Sequence, residues 1–150
     1  MRLLLVVALA MMIGVHGMSL FAQAPQACCE MKIVATTTSP SALTITITNL
    51  NQPLVTLFKS SSETDFRVRV TTDAGQEVNR TEYGKRLLTQ ERGGSRIYKE
   101  LKAGDTTTQT LDLRPLFELK SGTYNVAMSR DVFVGASKVS LEATAAIRIP

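Results

Sequence analysis

Apolar residues alternate with other residues along several segments, and this period of two is the feature that most constrains the fold. Leu43, Ile45 and Ile47 alternate with threonines, and the same pattern recurs at 66–71, 124–129 and 139–149. Successive side chains of a β-strand point to opposite faces, so each segment predicts a strand with one buried face. Weaker strand signals cover 31–37, 54–58, 96–101 and 107–113.

Turn-forming residues separate these segments, and no helical period is sustained anywhere beyond the N-terminal leader. Glycine, asparagine, aspartate or proline punctuate the chain at 49–53, 73–76, 103–105 and 120–122. Only 114–119 could hold a turn of helix, with Pro115 suited to its first position. Short strands at this spacing predict an all-β fold, an immunoglobulin-like antiparallel β-sandwich of seven to eight strands.

The N-terminal segment has the three parts of a secretory signal peptide. Arg2 supplies a positive charge, an apolar run follows to Leu20, and Ala22-Gln23-Ala24 matches a cleavage site. We expect a signal peptide at 1–24, a flexible tail at 25–32 and one domain at 33–150. The alternatives are an uncleaved membrane anchor and lipidation of Cys28, although the chain lacks the aliphatic residue expected three places before a lipidated cysteine.

Cleavage before Pro25 would place the mature protein in the periplasm or outside the cell, with no membrane span. It would also remove His16, the single histidine of a chain that has no tryptophan. Serine and cysteine triads in their common form need a histidine base. The carboxylates of Glu82 and Glu91 are the nearest candidates for a carboxylate-based hydrolase, but surface acids explain them better. We therefore expect no enzyme.

Cofactor, metal and nucleic-acid motifs are missing from the sequence. Gly93-Gly94-Ser95 lacks the lysine or third glycine of a phosphate-binding loop, and the aspartates lack calcium-loop spacing. We expect no cofactor and no metal. The basic excess is mild, and both signs of charge are interspersed along the chain. This pattern is typical of a solvated surface and gives no indication of nucleic-acid binding.

The two cysteines of the chain are adjacent, at Cys28 and Cys29. Neighbouring Cα atoms lie about 3.8 Å apart, whereas an unstrained disulfide needs about 5.5 Å. The alternatives are a strained ring, free thiols in the tail, or a disulfide-linked dimer through Cys28 or Cys29. Because both residues fall within the predicted tail, we expect neither thiol to stabilise the fold.

The longest predicted connection, 79–95, is charged and contains glycine. Long loops are often functional or disordered, and binding residues concentrate on loops held by a rigid scaffold. We take Arg80, Tyr83, Arg86 and Arg92 as its candidate partner-binding residues, because tyrosine and arginine contribute disproportionately to interface energy. Asn79-Arg80-Thr81 also fits a glycosylation sequon, which leaves open whether Asn79 carries a sugar.

Between 43 and 149 the chain resembles bacterial immunoglobulin-like domains, among them the intracellular proteinase inhibitor type and domains of many exported bacterial proteins. The motifs that carry this resemblance are Thr48-Asn49, Pro53-Leu54, Leu101-Lys102-Ala103-Gly104, Leu111-Asp112-Leu113 and Gly122-Thr123-Tyr124-Asn125-Val126. The glycine-x-tyrosine entry is similar to a tyrosine corner. The resemblance implies the fold but transfers neither a function nor a functional residue, because its motifs are structural. Since catalytic motifs are missing, we expect a non-catalytic module that binds another protein through sheet edges and the 79–95 loop. The alternative on the same scaffold is a proteinase inhibitor.

Overall fold

The computed structural model describes residues 27–89 and 97–150 and contains eight strands and two short helices. In chain order they are β1 (Cys29–Ala35), β2 (Ala42–Asn49), β3 (Val55–Lys59), α1 (Ser62–Asp65), β4 (Arg67–Thr72), α2 (Glu82–Thr89), β5 (Ile97–Leu101), β6 (Thr106–Asp112), β7 (Gly122–Val134) and β8 (Ser137–Ile149). The predicted signal peptide at 1–24 and Arg92 lie outside the described residues.

The strands form two antiparallel sheets. The first has the order β1-β2-β6. In the second, β7 pairs with β8 on one side and with both β4 and β3 on the other, and β5 pairs with the outer side of β3. Since β3 and β4 follow one another along β7, they act as one strand interrupted by α1. The predicted antiparallel β-sandwich of seven to eight strands is confirmed, and its arrangement is compatible with an immunoglobulin-like fold.

A single cluster of apolar side chains fills the space between the sheets, and the predicted alternation identifies its members. Leu43, Ile45 and Ile47 are buried, as are the alternating apolar residues of β4 and β7. In β8, Leu141 and Ile147 face this core while Glu142 and Arg148 face solvent. The period of two therefore predicted both the strands and their buried faces.

Two of the predicted motifs connect the sheets or fix a turn. The Tyr124 hydroxyl donates a hydrogen bond to the Lys120 carbonyl at 2.9 Å and accepts one from the Lys120 N–H at 3.0 Å, which forms the expected tyrosine corner. The fully buried side-chain amide of Asn49 donates to the carbonyls of Leu101 and Gln52, both at 2.9 Å. Asn49 thereby ties the end of β2 to β5 in the other sheet.

The flexible tail predicted at 25–32 is wrong from Cys29 onward, because this residue begins β1. The seven residues of β1 pair in register with β2 from Cys29↔Asn49 to Ala35↔Leu43. Cys29 is 5% exposed and belongs to the core, and burial beside Cys28 raises its pKa to about 12. Both cysteines are free within the chain. The apolar alternation at the start of this strand was too short for the sequence to place the first residue of the strand at Cys29.

Candidate functional site

The segment predicted as a long loop at 79–95 contains helix α2. Thr81 caps the helix, since its hydroxyl accepts the Gly84 N–H at 3.0 Å and its carbonyl accepts the Lys85 N–H at 2.9 Å. Gly84 lies so close to the Leu116 backbone that an added Cβ would be 2.3 Å from the Leu116 carbonyl oxygen. Leu87 packs against the core. The amphipathic helix therefore has one face docked on the sandwich and one face in solvent.

Arg80 precedes this helix and is engaged within the domain. Its guanidinium stacks over the Phe117 ring at 4.6 Å from the ring centroid and donates to the Val68 carbonyl at 2.7 Å. Partial burial lowers its pKa from the ordinary arginine value. Residue 80 also forms an isolated β-bridge with Phe117. These contacts give Arg80 a structural role that anchors the start of the segment, which its sequence context did not predict.

Tyr83 and Arg86 lie on the solvent side of α2. The Tyr83 hydroxyl donates to the Glu63 carboxylate at 2.6 Å, and this bond raises the tyrosine pKa. It joins α2 to α1, the helix that interrupts the second sheet. Arg86 is exposed in the last turn, where a cation interacts favourably with the helix dipole. Leu88 lies one turn beyond Gly84 and is 67% exposed.

Strand β5 is an edge of the second sheet and presents large apolar side chains to solvent. Ile97 is 62% exposed and Tyr98 is 55% exposed. Lys99 points to the inner face, where its ammonium donates to the Thr107 hydroxyl at 2.7 Å. An inward-pointing lysine disfavours pairing of an edge strand with another strand. A partner at this edge would therefore contact side chains rather than continue the sheet.

The topology brings α1, α2 and the start of β5 toward one end of the domain. Ile97 pairs with Lys59, the last residue of β3, and α1 begins three residues later. Tyr83 of α2 then bonds to Glu63 within α1. We call Tyr83, Arg86, Leu88 and Ile97 the edge surface. Two of these residues were predicted from the sequence, whereas Leu88 and Ile97 were not, because periodicity alone does not show which apolar residues stay uncovered.

An aromatic cluster on the outer face of the second sheet adjoins the edge surface. Tyr98 packs against Phe58 with the ring centroids 4.7 Å apart, and Phe58 meets Phe133 edge to face at 5.0 Å. Such tilted and T-shaped pairs contribute about 0.5–1.5 kcal/mol each beyond area burial. All three rings lie on the side of the sheet that faces away from the core, where Tyr98 is exposed and Phe58 and Phe133 are half-buried.

A buried charged cluster lies beneath α1 on the opposite face of the same sheet. Arg130, on the core side of β7, donates to Gln109 at 2.6 Å and lies 3.4 Å from the Asp65 carboxylate. Both charged side chains are 4% exposed, and the guanidinium stacks over the Phe66 ring at 4.9 Å from its centroid. Burial lowers the arginine pKa from its ordinary value. The cluster ties α1 and both sheets together.

Of the two carboxylates weighed for hydrolysis, Glu82 belongs to the described residues. Glu82 is exposed at the start of α2, and its bond to Lys85 at 2.7 Å lowers its pKa. A general acid in glycoside hydrolysis needs a raised pKa instead. Glu91 lies outside the described residues. Within 27–89 and 97–150, no group of three acidic or cysteine side chains could hold a metal ion, and neither helix is long and apolar enough to cross a membrane.

The described residues form an all-β sandwich with exposed apolar side chains on its edge strand β5. Neither the scan against protein-family models nor the search of curated proteins found a match for this chain. The assignment of function therefore depends on the geometry of the sandwich.

Proposed function

We propose that this protein is an exported, non-catalytic immunoglobulin-like module that binds another protein through the edge of β5 and the segment 79–95. The observation that carries this proposal is the exposure of Leu88, Ile97 and Tyr98, the apolar residues on either side of 90–96. Exposed apolar groups rimmed by polar residues are typical of interaction sites. Arg86 supplies an adjacent cation, and the bond between Tyr83 and Glu63 fixes the position of the tyrosine ring.

Site-specific photocross-linking in cells tests this surface. A photoreactive residue placed at Leu88 or Ile97 should form a covalent adduct with a different protein, whose identity mass spectrometry would give. Thr108 is a matched control, because it is exposed on the outer face of β6 in the other sheet. Adducts of equal yield at Thr108, no adduct at Leu88 and Ile97, or adducts only between two copies of this chain would overturn the proposal.

Two assays separate the proposed module from the alternatives on the same scaffold. A proteinase inhibitor would slow a protease at stoichiometric dose, whereas the proposed binding module leaves protease rates unchanged. A hydrolase would turn over a glycoside substrate, and such turnover would contradict a non-catalytic role.

Export is tested by the mass of the mature protein. Cleavage after Ala24 should give a chain that begins at Pro25, because small residues occupy both recognition positions of the cleavage site. Intact-mass spectrometry of the protein recovered from outside the cytoplasm would show this start. A diacylated chain that begins at Cys28, or a chain that retains residues 1–24, would refute the proposed processing.

A further inference from the structure

The outer face of the second sheet carries a row of four residues that crosses four strands. Glu100 of β5 pairs with Thr56 of β3, Thr56 pairs with Phe133 of β7, and Phe133 pairs with Lys138 of β8. Residues paired directly across antiparallel strands point to the same face. The row therefore begins with an acid, ends with a base, and has a polar and an aromatic residue between them.

The spacing of the row places its opposite charges symmetrically. Adjacent strands lie about 4.8 Å apart, so the acid and the base are separated by about 14 Å. The midpoint between them falls between Thr56 and Phe133, beside the aromatic cluster formed by Phe58, Tyr98 and Phe133. The row thus has an aromatic residue beside its midpoint and two complementary charged ends.

We propose that this face binds a second copy of the same chain. A twofold axis parallel to the strands and midway between β3 and β7 would place the row of the second copy over the row of the first in the opposite order. Glu100 of each copy would then face Lys138 of the other, and Thr56 would face Phe133. The two sheets would stack face to face, as sheets do in sandwiches at about 10 Å separation. Self-complementarity of this kind is what a twofold interface requires.

The charged ends are available for such contacts. Glu100 is exposed and has no ion-pair partner among the residues that the structure describes. Lys138 lies 3.6 Å from the Asp131 carboxylate, but Arg67 already binds that carboxylate at 2.8 Å. Lys138 can therefore turn to another acid without leaving Asp131 unpaired.

Charge reversal at the two ends of the row tests the proposed dimer, and loss of folding could not produce the expected pattern of results. The protein is expressed from the full-length sequence, purified in reducing buffer and examined by sedimentation equilibrium. We expect the wild type to form dimers, and Glu100→Lys or Lys138→Glu alone to weaken dimerisation at least tenfold, since each places like charges opposite one another. An equimolar mixture of the two variants should regain the dimer, because each variant then supplies the charge that the other needs.

Arg148→Glu serves as the control, because it reverses an exposed charge on the same face of β8 away from the row. This variant should dimerise like the wild type, and thermal unfolding should show that all three variants are folded. A monomeric wild type at millimolar concentration, single variants that dimerise unchanged, or a mixture that stays monomeric would each overturn the proposal. None of these results would affect cross-linking of a different protein at the edge surface, so the two proposals fail separately.

Discussion

The buried pair formed by Asp65 and Arg130 makes a quantitative prediction about stability. In Asp65→Ala, the Arg130 guanidinium loses its anionic partner at 3.4 Å while it remains 4% exposed. The Gln109 side chain also loses the carboxylate that accepts its amide at 3.1 Å. Removing one member of a buried pair typically costs about 3–5 kcal/mol. We expect the free energy of unfolding to fall by that amount.

An exposed pair on the same strand provides the matched control. Asp131 follows Arg130 directly and accepts two hydrogen bonds from Arg67, at 2.8 and 3.1 Å, on the solvent side of the sheet. Exposed pairs contribute about 0–1 kcal/mol, so Asp131→Ala should cost no more than that. The comparison keeps the strand and the type of substitution and changes only the burial of the pair.

Urea unfolding followed by far-ultraviolet circular dichroism measures both variants, with the slope of the transition checked for constancy. A third variant, Asp65→Ala combined with Arg130→Met, should recover part of the loss, because an apolar side chain leaves no unpaired buried charge. If Asp65→Ala and Asp131→Ala lose equal stability, the cation beneath α1 is solvated, which contradicts the expected cost of an unpaired buried charge.

Gly84, Cys29 and Asp131 each make a contact whose contribution to stability can be measured. Gly84→Ala should destabilise the domain by about 1–2 kcal/mol in urea unfolding. Overpacking against the Leu116 carbonyl outweighs the gain of about 1 kcal/mol in helix propensity. A variant more stable than the wild type would contradict the close approach of Gly84 to Leu116. Cys29→Ser should lower the free energy of unfolding by about 1–3 kcal/mol, because it buries a hydroxyl in the core. Cys28→Ser should change stability little. Equal effects of the two substitutions would argue against the burial of the Cys29 thiol. The hydrogen bonds from Arg67 lower the pKa of Asp131 from 3.8 to about 2, so the contribution of this carboxylate to stability is present above its unfolded-state pKa and is lost as the pH falls toward 2. Asp131→Asn should flatten the pH dependence of thermal unfolding in that window. An unchanged slope would show that another group causes the dependence.

The strands and the faces that they bury follow from the amino-acid sequence alone. Ile45 and Val126 could be assigned to the core because side chains alternate along any strand, whatever its neighbours. The turns at Gly75 and Gly104 could also be assigned, and both residues adopt the positive φ that glycine tolerates best. These properties are local, so they can be read from a few consecutive residues.

Tertiary contacts determine which residues of the candidate site are engaged within the domain and which remain exposed. Arg80 and Arg86 look equivalent in the sequence, but Phe117 and the Val68 carbonyl hold the first, whereas the second stays exposed. Likewise, Arg130 is buried because Asp65, far from it along the chain, packs beside it. Contacts between residues distant in sequence determine the environment of these charges, and no local pattern records them.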